Sequence, residues 1–392
     1  MTTYPYLIVG GGMTADAAVR GIRELDATRT IGLISAEPDA PYARPPLTKG
    51  LWKGEPLAGI WRETEDVGVE LHLGRRATAI DLAARRVLDD QGTAYDFEKL
   101  LLATGGSPRR LPFGGNDIVY FRTLEDYRRL RALSDRGARF AVVGGGFIGS
   151  EIAAALASQG RSVTMLFPDE GIGSRLFPAD LASFLVDYFR EKGVEMLPGR
   201  KVSNLIAKGP GFEVQADDGT LREVDAVVAG LGILPETALA TAAGLAVDNG
   251  ILVDEHLRTS HPAVFAAGDV ARFLAPALGT RIRVEHEDNA LSMGRAAGRA
   301  MAGDDSPYTH LPFFYSDLFD LGYEAVGELD PRREIVADWK EPFREGVVYY
   351  LTAGRVRGVL LWNTWGKVDE ARALIAEPGP FRPVDLTGRI RA

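Results

Sequence analysis

Twice along this chain an apolar run breaks into glycine. The first break is Leu7-Ile8-Val9-Gly10-Gly11-Gly12-Met13-Thr14-Ala15, and the second is Phe140-Ala141-Val142-Val143-Gly144-Gly145-Gly146-Phe147-Ile148-Gly149. Each predicts a buried strand turning sharply into a helix, where glycine lets the backbone come close to whatever faces the turn. The helix N-terminus then offers unpaired N–H groups and the positive end of a dipole, which together cradle a pyrophosphate. Two such turns predict a duplicated α/β unit and two bound dinucleotides.

The first unit reads as strand Tyr6–Val9, helix Ala15–Leu25 and strand Thr30–Ser35, leading to Glu37. An acidic group there accepts from a ribose hydroxyl, although Glu37 lies somewhat beyond the usual spacing of about 20 residues. The stretch Pro41-Tyr42-Ala43-Arg44-Pro45-Pro46-Leu47-Thr48-Lys49 has too much proline for a helix interior. Leu100–Ala103 is a further buried strand, turned by Thr104-Gly105-Gly106. The second unit repeats the plan with strand Phe140–Val143, helix Gly149–Gln159 and strand Ser162–Phe167, then Asp169. Gly209-Pro210-Gly211 and Asp217-Asp218-Gly219 read as hairpin turns. Val264–Val270 reads as a late apolar strand carrying Gly268-Asp269. Beyond residue 310 the texture changes to aromatics, strands Gly346–Thr352 and Val356–Trp362, and a helix Val368–Ala376. The fold expected is α/β, with two Rossmann-like three-layer domains and a C-terminal α+β domain.

With 392 residues the chain exceeds one ordinary core. A formal charge of −9 argues against nucleic-acid binding, which needs a basic field. There is no cysteine, so disulfides, thiolate catalysis and iron–sulfur ligation by this chain are excluded. The five histidines are scattered without metal-ligand spacing, so no metal is expected. No apolar run reaches the roughly 18–20 residues of a membrane helix, and no basic leader precedes the first strand, so a cytoplasmic location is expected.

The ordered series GGGMTA (10–15), PYARPPLTK (41–49), ATGGSPR (103–109), GGGFIGSE (144–151), FAAGDV (265–270), VEHEDNA (284–290) and FFYSDLFDLGYEAVGE (313–328) spans nearly the whole chain, and VVYYLTAGRVRGVLLWN (347–363) extends it. It resembles the flavin-dependent pyridine nucleotide oxidoreductases of glutathione-reductase architecture, closest to their apoptosis-inducing-factor and class-III ferredoxin reductase branch. The resemblance implies an FAD-binding domain in two parts (1–113 and 237–309), an NAD-binding domain (114–236) and a C-terminal domain (310–392).

On the FAD side it implies that Gly10, Gly12 and Ala15 cradle the pyrophosphate, with Ala15 standing where the fingerprint usually has a third glycine. Glu37 would hold the adenosine ribose, Gly268 and Asp269 the ribityl–phosphate portion, and Arg44, Thr104, Gly105, Glu285, His286 and Tyr315 further parts of the FAD site. On the NAD side it implies Gly144, Gly146, Ile148, Gly149, Glu151 and Gly232, with Asp169 at the adenosine ribose. A carboxylate there repels a 2′-phosphate, so NADH is expected; Arg175, further along, keeps NADPH open. Lys49 and Glu151 are the catalytic pair the resemblance implies, a lysine beside the flavin N5 and its carboxylate partner. Tyr315 stands where close relatives have tryptophan. The activity implied is electron transfer from NADH through FAD to a small iron–sulfur ferredoxin. The alternative is a slow NADH oxidase or a redox-sensing flavoprotein whose reduced state controls oligomer or partner binding. A homodimer is left open. Arg122, Arg128, Arg129, Arg131, Arg136 and Arg139 read either as a solvated face or as a docking patch for an acidic electron-transfer partner.

Overall fold

A computed structural model of the chain describes residues 2–391, which divide into two compact units. One comprises Met1–Arg44, Pro56–Ser107 and Leu234–Pro312; the other comprises Pro45–Glu55, Pro108–Ile233 and Phe313–Ala392.

The first unit is built on strand Thr2–Val9. Strands Ile31–Ile34 and Ala94–Leu102 lie parallel on its two sides, and Val69–His72 extends the sheet beyond Ile31–Ile34. Tyr6, Leu7, Ile8 and Val9 are all buried, as a parallel strand covered on both faces requires. The far half of the sheet turns antiparallel through Arg86–Asp89 and Ala77–Asp81, while Val264–Ala266 adds in parallel to Leu100–Leu102. Helix Met13–Arg23 crosses helix Glu287–Met301 closely, with glycines of both helices at the contact. A Cβ on Gly294 would strike the Thr14 carbonyl, one on Gly298 the Ala18 carbonyl, and one on Gly21 the Arg295 carbonyl.

In the second unit, five parallel strands stand in the order Glu195–Leu197, Val163–Leu166, Phe140–Val143, Ala226–Ala229, Ile118–Tyr120. A three-stranded antiparallel sheet covers 202–224, its turns at the two glycine-containing sites expected. The C-terminal sheet is antiparallel, in the order Phe313–Leu318, Leu321–Gly327, Arg355–Trp362, Glu345–Thr352, Glu334–Glu341. Helix Val368–Ala376 covers one face of it. On the other side Phe184, Tyr188 and Phe189 of helix Ala179–Glu191 join Phe319 and Phe343, and the Tyr350 hydroxyl donates to the Leu176 carbonyl over 2.7 Å.

Three local details differ from expectation. The glycine-turn helices begin two residues early, at Met13 and Phe147, because Gly12 and Gly146 adopt extended backbone and serve as N-caps. The strand expected over 264–270 stops at Ala266, since Gly268 takes a φ of +76° and opens a 3-10 turn. The proline-rich stretch contains a 3-10 turn at Pro45–Leu47, which proline's fixed φ suits. Several arginines of helix Leu124–Asp135 and its flanks pair with nearby carboxylates. Arg128 pairs with Glu125, Arg131 with Asp135, and Arg139 with Asp225 through two bonds, a solvated face with its own carboxylates.

Candidate functional site

Two cradles occupy the strand–helix turns. In the first unit Gly10 has a φ of +131° and lies so near Ala103 that a Cβ would fall on its carbonyl oxygen. Gly12, by contrast, faces open space; the nearest atom to a Cβ there is Arg44 Nη2 at 3.9 Å. No side chain caps the helix that follows, so its first N–H groups point into that space. Ala15 is fully buried against the sheet. Glu37 accepts from the Tyr42 hydroxyl over 2.6 Å and from Arg44. Burial opposes the Arg44 charge, but Tyr42, Glu37 and Asp269 outweigh it and hold the guanidinium firmly cationic. Gly268 meets the same helix, for a Cβ on it would collide with the Thr14 hydroxyl. Asp269 follows it, and the Asp269 carbonyl accepts from Arg283 at 3.1 Å. Thr104 Oγ1 donates to the Glu236 carbonyl, and Gly105 accepts from the Glu236 N–H. Glu285 pairs with Arg283 at 2.6 Å, and His286 caps helix Glu287–Met301 with its backbone. Empty space before Gly12, free helix N–H groups and a fixed cation suit a dinucleotide pyrophosphate.

The second cradle repeats the geometry in the second unit. Gly144 has a φ of +116° and abuts the Gly230 carbonyl, while Gly146 faces open space and begins an uncapped helix. Gly149 packs on the Gly144 carbonyl, and a Cβ on Gly230 would lie 2.6 Å from Gly149 N and 3.1 Å from Ile148 Cβ. Gly232, with a φ of +79°, accepts from the Arg109 N–H at 2.9 Å. Asp169 is 38% exposed and faces Arg175 Nε at 3.9 Å, a loose contact since Arg175 is itself 83% exposed. The nearby Arg200 is bonded to Asp218 instead.

The charged pair anticipated from sequence is present and buried. Lys49 donates to Glu151 Oε1, with the two side chains only 13% and 6% exposed. Thr48 Oγ1 donates to Glu151 Oε2 and Ser316 Oγ to Oε1, each over 2.6 Å. The Lys49 ammonium also lies 5.2 Å from the centre of the Tyr315 ring. Desolvation offsets much of the attraction in a buried pair, so three donors on one carboxylate are what keep the anion satisfied. Tyr323 is buried nearby; burial, reinforced by the Glu151 charge, pushes its phenol well above the usual range, so it stays protonated. Lys49 and Tyr315, expected on the FAD side, belong to the same compact unit as the NAD-side residues. Sequence reasoning missed Tyr42, Thr48, Gly230 and Ser316. Two of these adjoin residues it named: Thr48 precedes Lys49 and Ser316 follows Tyr315.

Among the described residues no helix is long and apolar enough to cross a membrane, and no cluster of three metal-ligating side chains occurs. Residues 4–294 match the family model of the pyridine nucleotide-disulphide oxidoreductases, and residues 330–377 that of the apoptosis-inducing factor, mitochondrion-associated, C-terminal region. The chain is 36% identical to the ferredoxin–NAD(+) reductase component of the anthranilate 1,2-dioxygenase system of Burkholderia cepacia, covering 99% of this chain and 98% of that one. It is 35% identical to the mitochondrial apoptosis-inducing factor 1 of Dictyostelium discoideum, over 95% of this chain and 78% of the relative. Its fold superposes on that of putidaredoxin reductase in a covalent complex with putidaredoxin with a TM-score of 0.90 at 30% identity, covering 98% and 95% of the two chains. With both cradles formed and the match running through most of its length, the chain belongs to the pyridine nucleotide-disulphide oxidoreductase family, whose cofactors here are FAD and NADH.

Proposed function

We propose that the protein is an NADH-dependent flavoprotein reductase that passes electrons through FAD to a small iron–sulfur ferredoxin, in the cytoplasm. The observation that carries this is a pair of dinucleotide cradles in a chain without cysteine. A disulphide reductase hands its electron pair to protein thiols; here there are none, so the electrons must leave for another molecule. The relatives at full-length coverage that are named ferredoxin reductases support the same acceptor.

Bound FAD supplies the ability to take two electrons at once and give them up singly. The chain's own residues do the rest. The Gly10–Gly12 turn and Arg44 hold the FAD pyrophosphate, Glu37 accepts from its adenosine ribose, and Asp269 from its ribityl chain. Ala15, Thr104, Gly105, Glu285 and His286 complete that side. Gly144, Gly146, Ile148, Gly149 and Gly232 shape the NADH site, and Asp169 disfavours a 2′-phosphate. Lys49 is the group that would stabilise negative charge on the flavin, and Glu151 fixes its ammonium.

The test is anaerobic titration of purified yellow protein with NADH, followed by mixing with a panel of oxidised ferredoxins. Bleaching by one equivalent of NADH and rapid ferredoxin reduction is the expected result. Protein without flavin, or flavin that NADH cannot bleach, refutes the proposal. The match of residues 330–377 to the apoptosis-inducing-factor C-terminal region favours a second reading, a slow oxidase or redox sensor. Slow bleaching, a lasting long-wavelength absorbance and a change in size on adding NADH would select it.

A further inference from the structure

Two elements grip the Glu151 carboxylate: the proline-rich loop through Thr48 and Lys49, and the edge strand Phe313–Leu318 through Ser316. The edge strand touches both members of the pair with consecutive residues, the Tyr315 ring against the ammonium and the Ser316 hydroxyl on the carboxylate. Neighbouring strand residues point to opposite faces, so this strand engages the pair on both sides. Ser316 is 1% exposed, and it shares Oε1 with Lys49 while Thr48 holds Oε2.

We propose that Ser316 is a positioning residue for the Lys49 ammonium and, through it, sets the reduction potential of the bound flavin. This rests on the reading above that Lys49 stabilises negative charge on the flavin. With a hydroxyl on each oxygen the carboxylate cannot turn about its own axis. The lysine is long and flexible and goes where its counter-charge goes. Removing the Ser316 hydroxyl frees Oε1 to turn, and the ammonium bonded to it turns with it, which takes positive charge away from its fixed place. Charge on reduced flavin is then less well stabilised, and the potential falls.

The experiment equilibrates FAD-loaded protein with dithionite and a dye of known potential, so it needs neither NADH nor ferredoxin. Ser316→Ala should shift the midpoint to more negative values, Ser316→Thr should return it close to wild type, and thermal melting should show all three folded. In a Glu151→Gln background, Ser316→Ala should add no further shift, because its route of action is gone. Thr48→Val removes the other hydroxyl and should shift the potential the same way; it carries the test if Ser316→Ala does not fold. An unchanged potential in Ser316→Ala, or an equal shift with Glu151→Gln already present, overturns the role given to Ser316. A wild-type protein that holds flavin but reduces no ferredoxin overturns the proposed function and leaves this comparison intact.

Discussion

Replacing Asp169 by asparagine should move coenzyme preference from NADH toward NADPH by an amount the structure bounds. A 2′-phosphate carries close to two negative charges. Placed about 5 Å from a carboxylate, it is repelled by about 1.7 kcal/mol in a water-like dielectric. The water-like value is the appropriate one because Asp169 is 38% exposed. Arg175, at 3.9 Å and mostly exposed, offsets little of this. Each 1.36 kcal/mol is tenfold, so kcat/KM for NADPH should rise roughly 15-fold in Asp169→Asn. Asparagine keeps an acceptor for the ribose but loses the charge; a charge-assisted bond is worth about 1 kcal/mol more than a neutral one, so NADH should fall roughly fivefold. The ratio of the two kcat/KM values should therefore change by about 75-fold, or about 2.6 kcal/mol. Steady-state reduction of an artificial acceptor with each coenzyme measures both numbers. A ratio within threefold of wild type would sink the assignment of Asp169 to the ribose.

Gly12→Val should leave the melting temperature of the apoprotein unchanged, since a side chain there meets nothing nearer than Arg44, yet weaken FAD binding more than tenfold by filling the cradle; a drop in apoprotein stability contradicts the empty space described. Gly298→Ala should cost about 1–3 kcal/mol, read as a lower melting temperature, because its Cβ meets the unyielding Ala18 carbonyl; unaltered melting would show that the crossing relaxes. Asp218, Asp330 and Asp385 are held down to about 2, Asp218 first by the Thr220 N–H and then by Arg200, the other two by Arg332 and Arg382. Depressed carboxylates stabilise the fold fully above the ordinary value near 4 and lose that contribution as pH falls toward 2, so melting temperature should decline across that window. Arg200→Gln should flatten the decline, and equal slopes would contradict the coupling.

The glycine turns were legible because their geometry is local: a strand, a positive-φ glycine and a helix start lie within ten residues of each other. Helix Val368–Ala376 and strand Phe140–Val143 were read to the residue for the same reason. Glu37 was named as a candidate from its place after the second strand, but its hold by Tyr42 and Arg44 depends on how a proline-rich loop folds back, which no periodicity encodes. Ser316 was hidden twice over. It meets Glu151 from 165 residues away, and strand alternation argues that the neighbour of a useful Tyr315 points elsewhere. The arginine group was left open between a solvated face and a docking patch, and one of its counter-charges was hidden by distance, since the Asp225 that pairs with Arg139 lies 86 residues on.

The addition of Val264–Ala266 to the strand edge at Leu100–Leu102 has a consequence for how the protein is born. A ribosome adding about 5–20 residues per second leaves that edge uncovered for roughly 10–30 s. During this interval Gly268, whose lack of a Cβ lets the chain close on Thr14, does not yet exist either. The nascent chain thus carries its first fingerprint, glycine turn complete, long before it can retain a flavin. Uncovered apolar strand edges invite pairing with other chains, so the yield of active protein in a cell should depend on translation speed and chaperone supply across this middle stretch.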